Sequence, residues 1–151
     1  LKAYDMSPLV FLLAVNVLGY MLCTAEAVRR MSTLHGGKGG AIVNVSSGAS
    51  AGAAPNEAVY AASKGAVDSF TVGLGHEVAG EGIRVAAIRP GLIDTDIHAS
   101  GGIPDRVATL ADTIPIKRGG TVDEVAEAVR WLASDRASYV LGTVVTVSGG
   151  R

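Results

Sequence analysis

Tyr60 and Lys64 bracket the run Tyr60-Ala61-Ala62-Ser63-Lys64. On a helix, four-residue spacing sets two side chains on one face, a turn apart. A phenol ordinarily titrates near ~10, too high for a base at neutral pH. A neighbouring ammonium favours the phenolate, each tenfold gain in acidity being worth ~1.4 kcal/mol of differential stabilisation. Such a pair can exchange a proton with an alcohol or carbonyl oxygen. Alone, Tyr-x-x-x-Lys is a weak signal, equally compatible with an amphipathic pair whose polar tips are solvated. Ser47 sharpens it, because it follows the apolar run Ile42-Val43-Asn44-Val45. If that run is a parallel strand, its carboxyl end faces a ligand crevice. There a serine is either a capping hydroxyl or a hydrogen-bond partner for a substrate oxygen. Pro90-Gly91 ends the next apolar run, and Thr95 follows. Proline is expected to stop ladder pairing there, and glycine to let a flat ligand approach the backbone.

These residues need a scaffold, and the apolar pattern predicts one. Residues 8–31 read as a long helix, opened by Ser7-Pro8 as hydroxyl cap and first-turn proline. The run from Pro8 to Cys23 is apolar except for Asn16. It falls short of the ~20 apolar residues a bilayer requires and carries an amide at its centre. Asp5 precedes it and no small-x-small site follows directly, so a buried helix is expected rather than a membrane or targeting segment. The glycine-rich HGGKGG (35–40) follows a helix and opens a strand, the reverse of a phosphate cradle, and reads as a connector. Residues 41–47 read as a strand buried on both faces, 83–91 as a second buried strand and 141–147 as a third strand. Asn56 is expected to cap a helix over 57–80, stopped by Gly80 and Gly82. Residues 92–120 look irregular, with a short helix near 104–111. Thr121 to Glu124 forms a capping box for a helix reaching Ser134. Strands alternating with helices mean an α/β fold with parallel pairing and right-handed crossovers.

Composition removes several classes. With 48% hydrophobic and 18% charged residues, the 151-residue chain has the makings of one packed domain, not of a disordered segment. A formal charge of -1 offers no basic field for nucleic acid. The single cysteine, Cys23, forms no intrachain disulfide and fits a reducing, cytoplasmic setting. His35, His76 and His98 lack metal-ligand spacing, so no metal is expected. A serine hydrolase is disfavoured, because Ser47 has no Gly-x-Ser-x-Gly elbow.

IVNVSS (42–47), YAASK (60–64), IRVAAIRPGLIDT (83–95) and the terminal VSGG (147–150) together resemble the short-chain dehydrogenase/reductase family, and within it the bacterial sugar and acyl-carrier-protein-type oxidoreductases. The likeness runs from about Val15 to Arg151. It implies part of a doubly wound Rossmann sheet, its last three strands with flanking helices, and hydride transfer between NAD or NADP and a small-molecule alcohol or carbonyl. By this resemblance Tyr60 is the general acid/base, Ser47 orients the substrate oxygen, and Lys64 holds the ribose and lowers the tyrosine's pKa. Asn16 matches the asparagine that holds a water in the family's proton relay. Tyr60 and Lys64, with Pro90, Gly91, Ile93 and Thr95, match the cofactor-contacting positions. Residues 96–120, with His98 and Arg106, match the substrate lid. A homodimer or homotetramer through helices 8–31 and 57–80 is implied, with neither nucleic acid nor membrane as partner.

Two departures stand out. No Gly-x-x-x-Gly-x-Gly loop and no Asn-Asn-Ala-Gly motif occurs in the sequence. The amino-terminal half of the unit is expected to lie before residue 1, making residues 1–151 the carboxyl-terminal catalytic portion of one domain. The alternative is a non-catalytic, self-associating remnant. NAD and NADP are not distinguished, because the residues that read the ribose follow the second strand of such a fold.

Overall fold

The computed structural model describes residues 6–151, so Lys2 and Asp5 lie outside the described residues. Three strands, β1 (Gly40–Val45), β2 (Ile83–Pro90) and β3 (Thr143–Val147), form one parallel sheet in the order β1-β2-β3. Parallel neighbours need a crossover. A long helix, α1 (Met6–Met31), precedes the sheet. Helix α2 (Ala58–Val78) supplies the first crossover. The second runs through two short helices, α3 (Ile97–Ser100) and α4 (Arg106–Leu110), and then α5 (Val122–Ala133). The α/β class and the parallel pairing are those read from the sequence.

The middle strand β2 is covered on both faces, whereas β1 and β3 are only partly buried, β1 thus falling short of the two-sided burial its apolar run suggests. β2 alternates its side chains between the two faces. Ile83 and Val85 pack with Val78 of α2 and with Val28 and Met31 of α1. Ala86 and Ile88 pack on the opposite face with Leu132, Val125 and Val129 of α5. Both faces of β2 being buried explains why its sequence is apolar without alternation. Thr121 opens α5 with the expected capping box: its Oγ1 accepts from the Glu124 N–H, and Glu124 Oε2 accepts from the Thr121 N–H.

Several local expectations need correction. Ser7 and Pro8 lie within α1, whose described part already runs from Met6, so the helix does not open at Pro8. Nor is α1 a buried helix. Only Thr24 in its second half is buried, while Phe11 and Leu22 are 71% and 72% exposed. The reason is architectural: one side of α1 meets α2 and β1, and no described element covers the other. By length and composition α1 could cross a bilayer. Asn56 does not cap α2 either. It takes a left-handed φ of 69°, and Glu57 stands at the cap position without a side-chain capping bond. Gly80 continues into a 3-10 turn, and Gly82, with φ 74°, makes the stop. HGGKGG is a connector as expected, and Gly39 leaves no room for a side chain, since a Cβ would stand 2.4 Å from the Gly82 carbonyl oxygen.

Candidate active site

The carboxyl ends of β1 and β2 and the first turns of α2 meet at one edge of the sheet. Ser47, two residues past β1, caps the 3-10 turn Gly48–Ser50 by accepting from the Ala49 N–H at 3.2 Å. That turn packs against α2 and β2, and Gly48 lies beside Pro90 and Gly91. The Ser47 hydroxyl is the acceptor in this bond, which leaves its own hydrogen to donate. The capping reading of Ser47 is therefore realised, and a donor remains.

Tyr60 sits in the first turn of α2 with 36% of its surface exposed, while Lys64 one turn on is 9% exposed. The Lys64 Nζ lies 5.9 Å from the Tyr60 ring centroid, so the two side chains share a face. Burial pushes the Lys64 amine below its ordinary value, and the charge of Asp68 opposes that shift. Lys64 Nζ donates to the Val45 carbonyl at 3.0 Å. Ser46 N–H reaches across to Ile88 O, so Val45, of opposite parity, turns its carbonyl to the edge away from β2.

Tyr20 joins these residues, although the sequence motifs do not single it out. Its hydroxyl donates to the same Val45 carbonyl at 2.6 Å, and Lys64 Nζ stands 5.4 Å from its ring centroid. Burial raises the Tyr20 phenol, with Tyr60 adding to the rise and the Val45 bond opposing it. A signal exists in the spacing: Tyr20 lies four residues after Asn16 on the same helix, hence on its face.

Asn16 lies in a five-residue π-helical segment, Ala14–Leu18, closed by the Gly19 N–H on the Ala14 carbonyl. Such bulges widen one turn and reorient its side chains. Asn16 Nδ2 donates to Ser63 Oγ at 3.1 Å, and Ser63 Oγ donates to the Tyr60 carbonyl at 2.7 Å. The amide is thereby joined to the Tyr60 turn through Ser63, not to Lys64.

β2 ends at Pro90, as the sequence suggests, although the proline does not yet stop the ladder on the β3 side. Pro90 pairs in register with Val147, and the Gly91 N–H donates to the Val147 carbonyl at 2.9 Å. Gly91 is needed for protein packing: a Cβ there would lie 2.7 Å from Ser148 Cα. The glycine accommodates β3's continuation, where the sequence suggests the approach of a ligand. Ile93 bridges to Gly120, and its carbonyl meets His98 Nε2 at 2.7 Å. Thr95 lies just beyond, partly buried, ahead of α3. Arg106, opening α4, pairs with Glu57 at 2.9 Å, tying the segment between β2 and α5 to the residue before α2.

A nicotinamide-ribose group fits what is present here: an exposed phenol, a neighbouring ammonium with donor hydrogens, and a hydroxyl with a free donor, at one strand edge. Among the described residues no group of three or more His, Cys, Asp or Glu could hold a metal ion. A groove of about 440 Å³ between α1 and α2, lined by Met21, Val28, Phe70 and Leu74, shares no residue with this constellation.

Residues 4–151 match a family model described as enoyl-(acyl carrier protein) reductase. A protein of Escherichia coli strain K12 named as an uncharacterized oxidoreductase is 56% identical over 140 residues, covering 92% of this chain and 57% of the relative. The crystal structure of an acetoin dehydrogenase from Salmonella typhimurium superposes with a TM-score of 0.85 at 31% identity, covering 99% of this chain and 57% of that one. A tyrosine-to-phenylalanine variant of ElxO with NADPH bound gives 0.86 at 27% identity, with 99% and 60% coverage. The chain spans a little over half the length of the curated relatives it matches.

Proposed function

Because the chain belongs to the short-chain dehydrogenase/reductase family, we propose that residues 1–151 are the carboxyl-terminal catalytic portion of an NAD(P)-dependent oxidoreductase that interconverts an alcohol and a carbonyl. The observation that carries this reading is Lys64 Nζ standing 5.9 Å from the half-exposed Tyr60 ring, at the strand edge bearing Ser47 and Pro90-Gly91. NAD or NADP, when bound, supplies or accepts the hydride. Tyr60 and Lys64, with the backbone from Pro90 through Gly91 and Ile93 to Thr95, would hold its nicotinamide end. The NADPH in the ElxO structure supports a nicotinamide cofactor and leaves NAD and NADP equal candidates.

In the reductive direction the Tyr60 hydroxyl gives its proton to the carbonyl oxygen, acting as general acid. Ser47 donates its free hydrogen to the same oxygen, strengthening as charge gathers there. The Lys64 ammonium attracts the negative charge left on the phenol oxygen. Asn16, through Ser63, fixes the turn of α2 that carries Tyr60; beside this it would hold a relay water. In oxidation the same groups act in reverse, with Tyr60 as base.

The apolar outer side of α1 is assigned to a second copy of this chain, giving a soluble, cytoplasmic homodimer or homotetramer through helices 8–31 and 57–80. One observation favours a second reading, a self-associating remnant without catalysis: the sequence holds no Gly-x-x-x-Gly-x-Gly loop. Calorimetric titration of the chain with NADH and NADPH separates the two. Micromolar binding supports the enzyme and overturns the remnant; binding absent both here and in the natural polypeptide containing these residues overturns the enzyme.

A further inference from the structure

Asp68 stands one turn beyond Lys64 on α2, with its side chain 9% exposed. Its Oδ2 accepts a hydrogen bond from Arg89 Nε at 3.0 Å and lies in ion-pair contact with Nη2 at 2.9 Å. Its Oδ1 is buried with no hydrogen-bond partner. A buried carboxylate satisfied from one side is costly, and a neutral apolar residue would spare the fold that cost. Arg89 directly precedes Pro90-Gly91 and, by strand alternation, lies on the α2 face of β2 with Ile83 and Val85.

We infer that Asp68 is a positioning residue: it ties the helix bearing Tyr60 and Lys64 to the strand end bearing Pro90-Gly91, and its charge supports that of Lys64. This rests on the proposed parts of Tyr60 and Lys64. The groups facing Lys64 are Tyr20 from α1 and Tyr60 and Asp68 from α2, with Arg89 of β2 behind Asp68. β1 contributes the neutral Val45 carbonyl, and Ser46 just beyond it a neutral hydroxyl. Of these, Asp68 supplies the negative charge. Burial alone pulls the Lys64 amine down, and Asp68 counters it. Arg89 anchors the carboxylate and tempers its field. Removing either partner should therefore move Lys64 in opposite directions.

The test is an NMR titration of 13C-lysine-labelled chain, without substrate or turnover. The four lysines (Lys2, Lys38, Lys64 and Lys117) give few signals, and Lys64 is assigned by its loss in Lys64→Arg. Asp68→Asn should displace the Lys64 midpoint to lower pH and speed hydrogen exchange at the Gly91 amide. Arg89→Met should displace the midpoint to higher pH. A Lys64 midpoint unmoved by Asp68→Asn, or moved the same way by both variants, overturns the inference. If Asp68→Asn does not fold, Arg89→Met decides: a rise supports the role and no movement overturns it. A merely structural brace would change exchange at Gly91 and leave Lys64 in place. Since no catalysis is read, failure here is distinct from failure of the proposed enzyme.

Discussion

Asn16 Nδ2 and Ser63 Oγ meet at 3.1 Å, joining the π-helical turn of α1 to the turn of α2 between Tyr60 and Lys64. The bond makes an amide inside an apolar run intelligible. A polar group left without a partner at a helix interface costs on the order of 1–3 kcal/mol. Asn16→Ala is expected to lower stability by about 1 kcal/mol, a typical net hydrogen bond, and to reduce turnover through kcat rather than KM. Urea unfolding and steady-state kinetics read the two effects. Unchanged stability would mean that the bond is not formed in solution.

The residues of this site are legible in the sequence where chemistry and local spacing coincide. Tyr60 and Lys64 share a helix face because four residues make about a turn, and Thr121 with Glu124 form a capping box for the same local reason. Parallel pairing is legible because short apolar runs alternate with helices. What the sequence does not convey is tertiary. Pro90 pairs with Val147, far along the chain, and the close approach of Ser148 also requires a glycine at 91. Asn56 has the composition of a cap, yet a left-handed backbone puts it out of position. The apolar run of α1 suggests burial, but apolarity says only that a surface favours being covered, not that the same chain covers it.

Gly91→Ala would place a Cβ 2.7 Å from Ser148 Cα, side chain against backbone. The strand ends must separate, at a cost of about 1–3 kcal/mol for overpacking. Thermal unfolding should show this loss, with a weakened Gly91 N–H bond to Val147 visible as faster amide exchange. Wild-type stability would mean that β3's continuation yields freely.

Lys64 titrates below its ordinary value near 10.5 because it is buried. Between that lowered value and 10.5 the unfolded chain binds more protons at this group than the folded chain does, so stability from this group rises with pH across the window. Below the window the buried charge is a constant penalty. Lys64→Met should remove this contribution and flatten the upward slope in chemical unfolding measured across the alkaline range. An identical slope in the variant would show that Lys64 is solvated. In the enzyme, loss of the charge across the same window should lower turnover at alkaline pH.

The central claim is that the Tyr60 hydroxyl transfers the proton that accompanies hydride transfer. It is tested by NADH- and NADPH-dependent turnover of alcohols and carbonyls in the natural polypeptide that contains these residues, wild type against Tyr60→Phe. The variant removes one oxygen from a half-exposed ring, so folding should be retained by circular dichroism. Loss of general acid–base catalysis predicts a fall of about 10²–10⁴ in kcat. Cofactor-dependent turnover that survives in Tyr60→Phe at the wild-type rate would contradict the account.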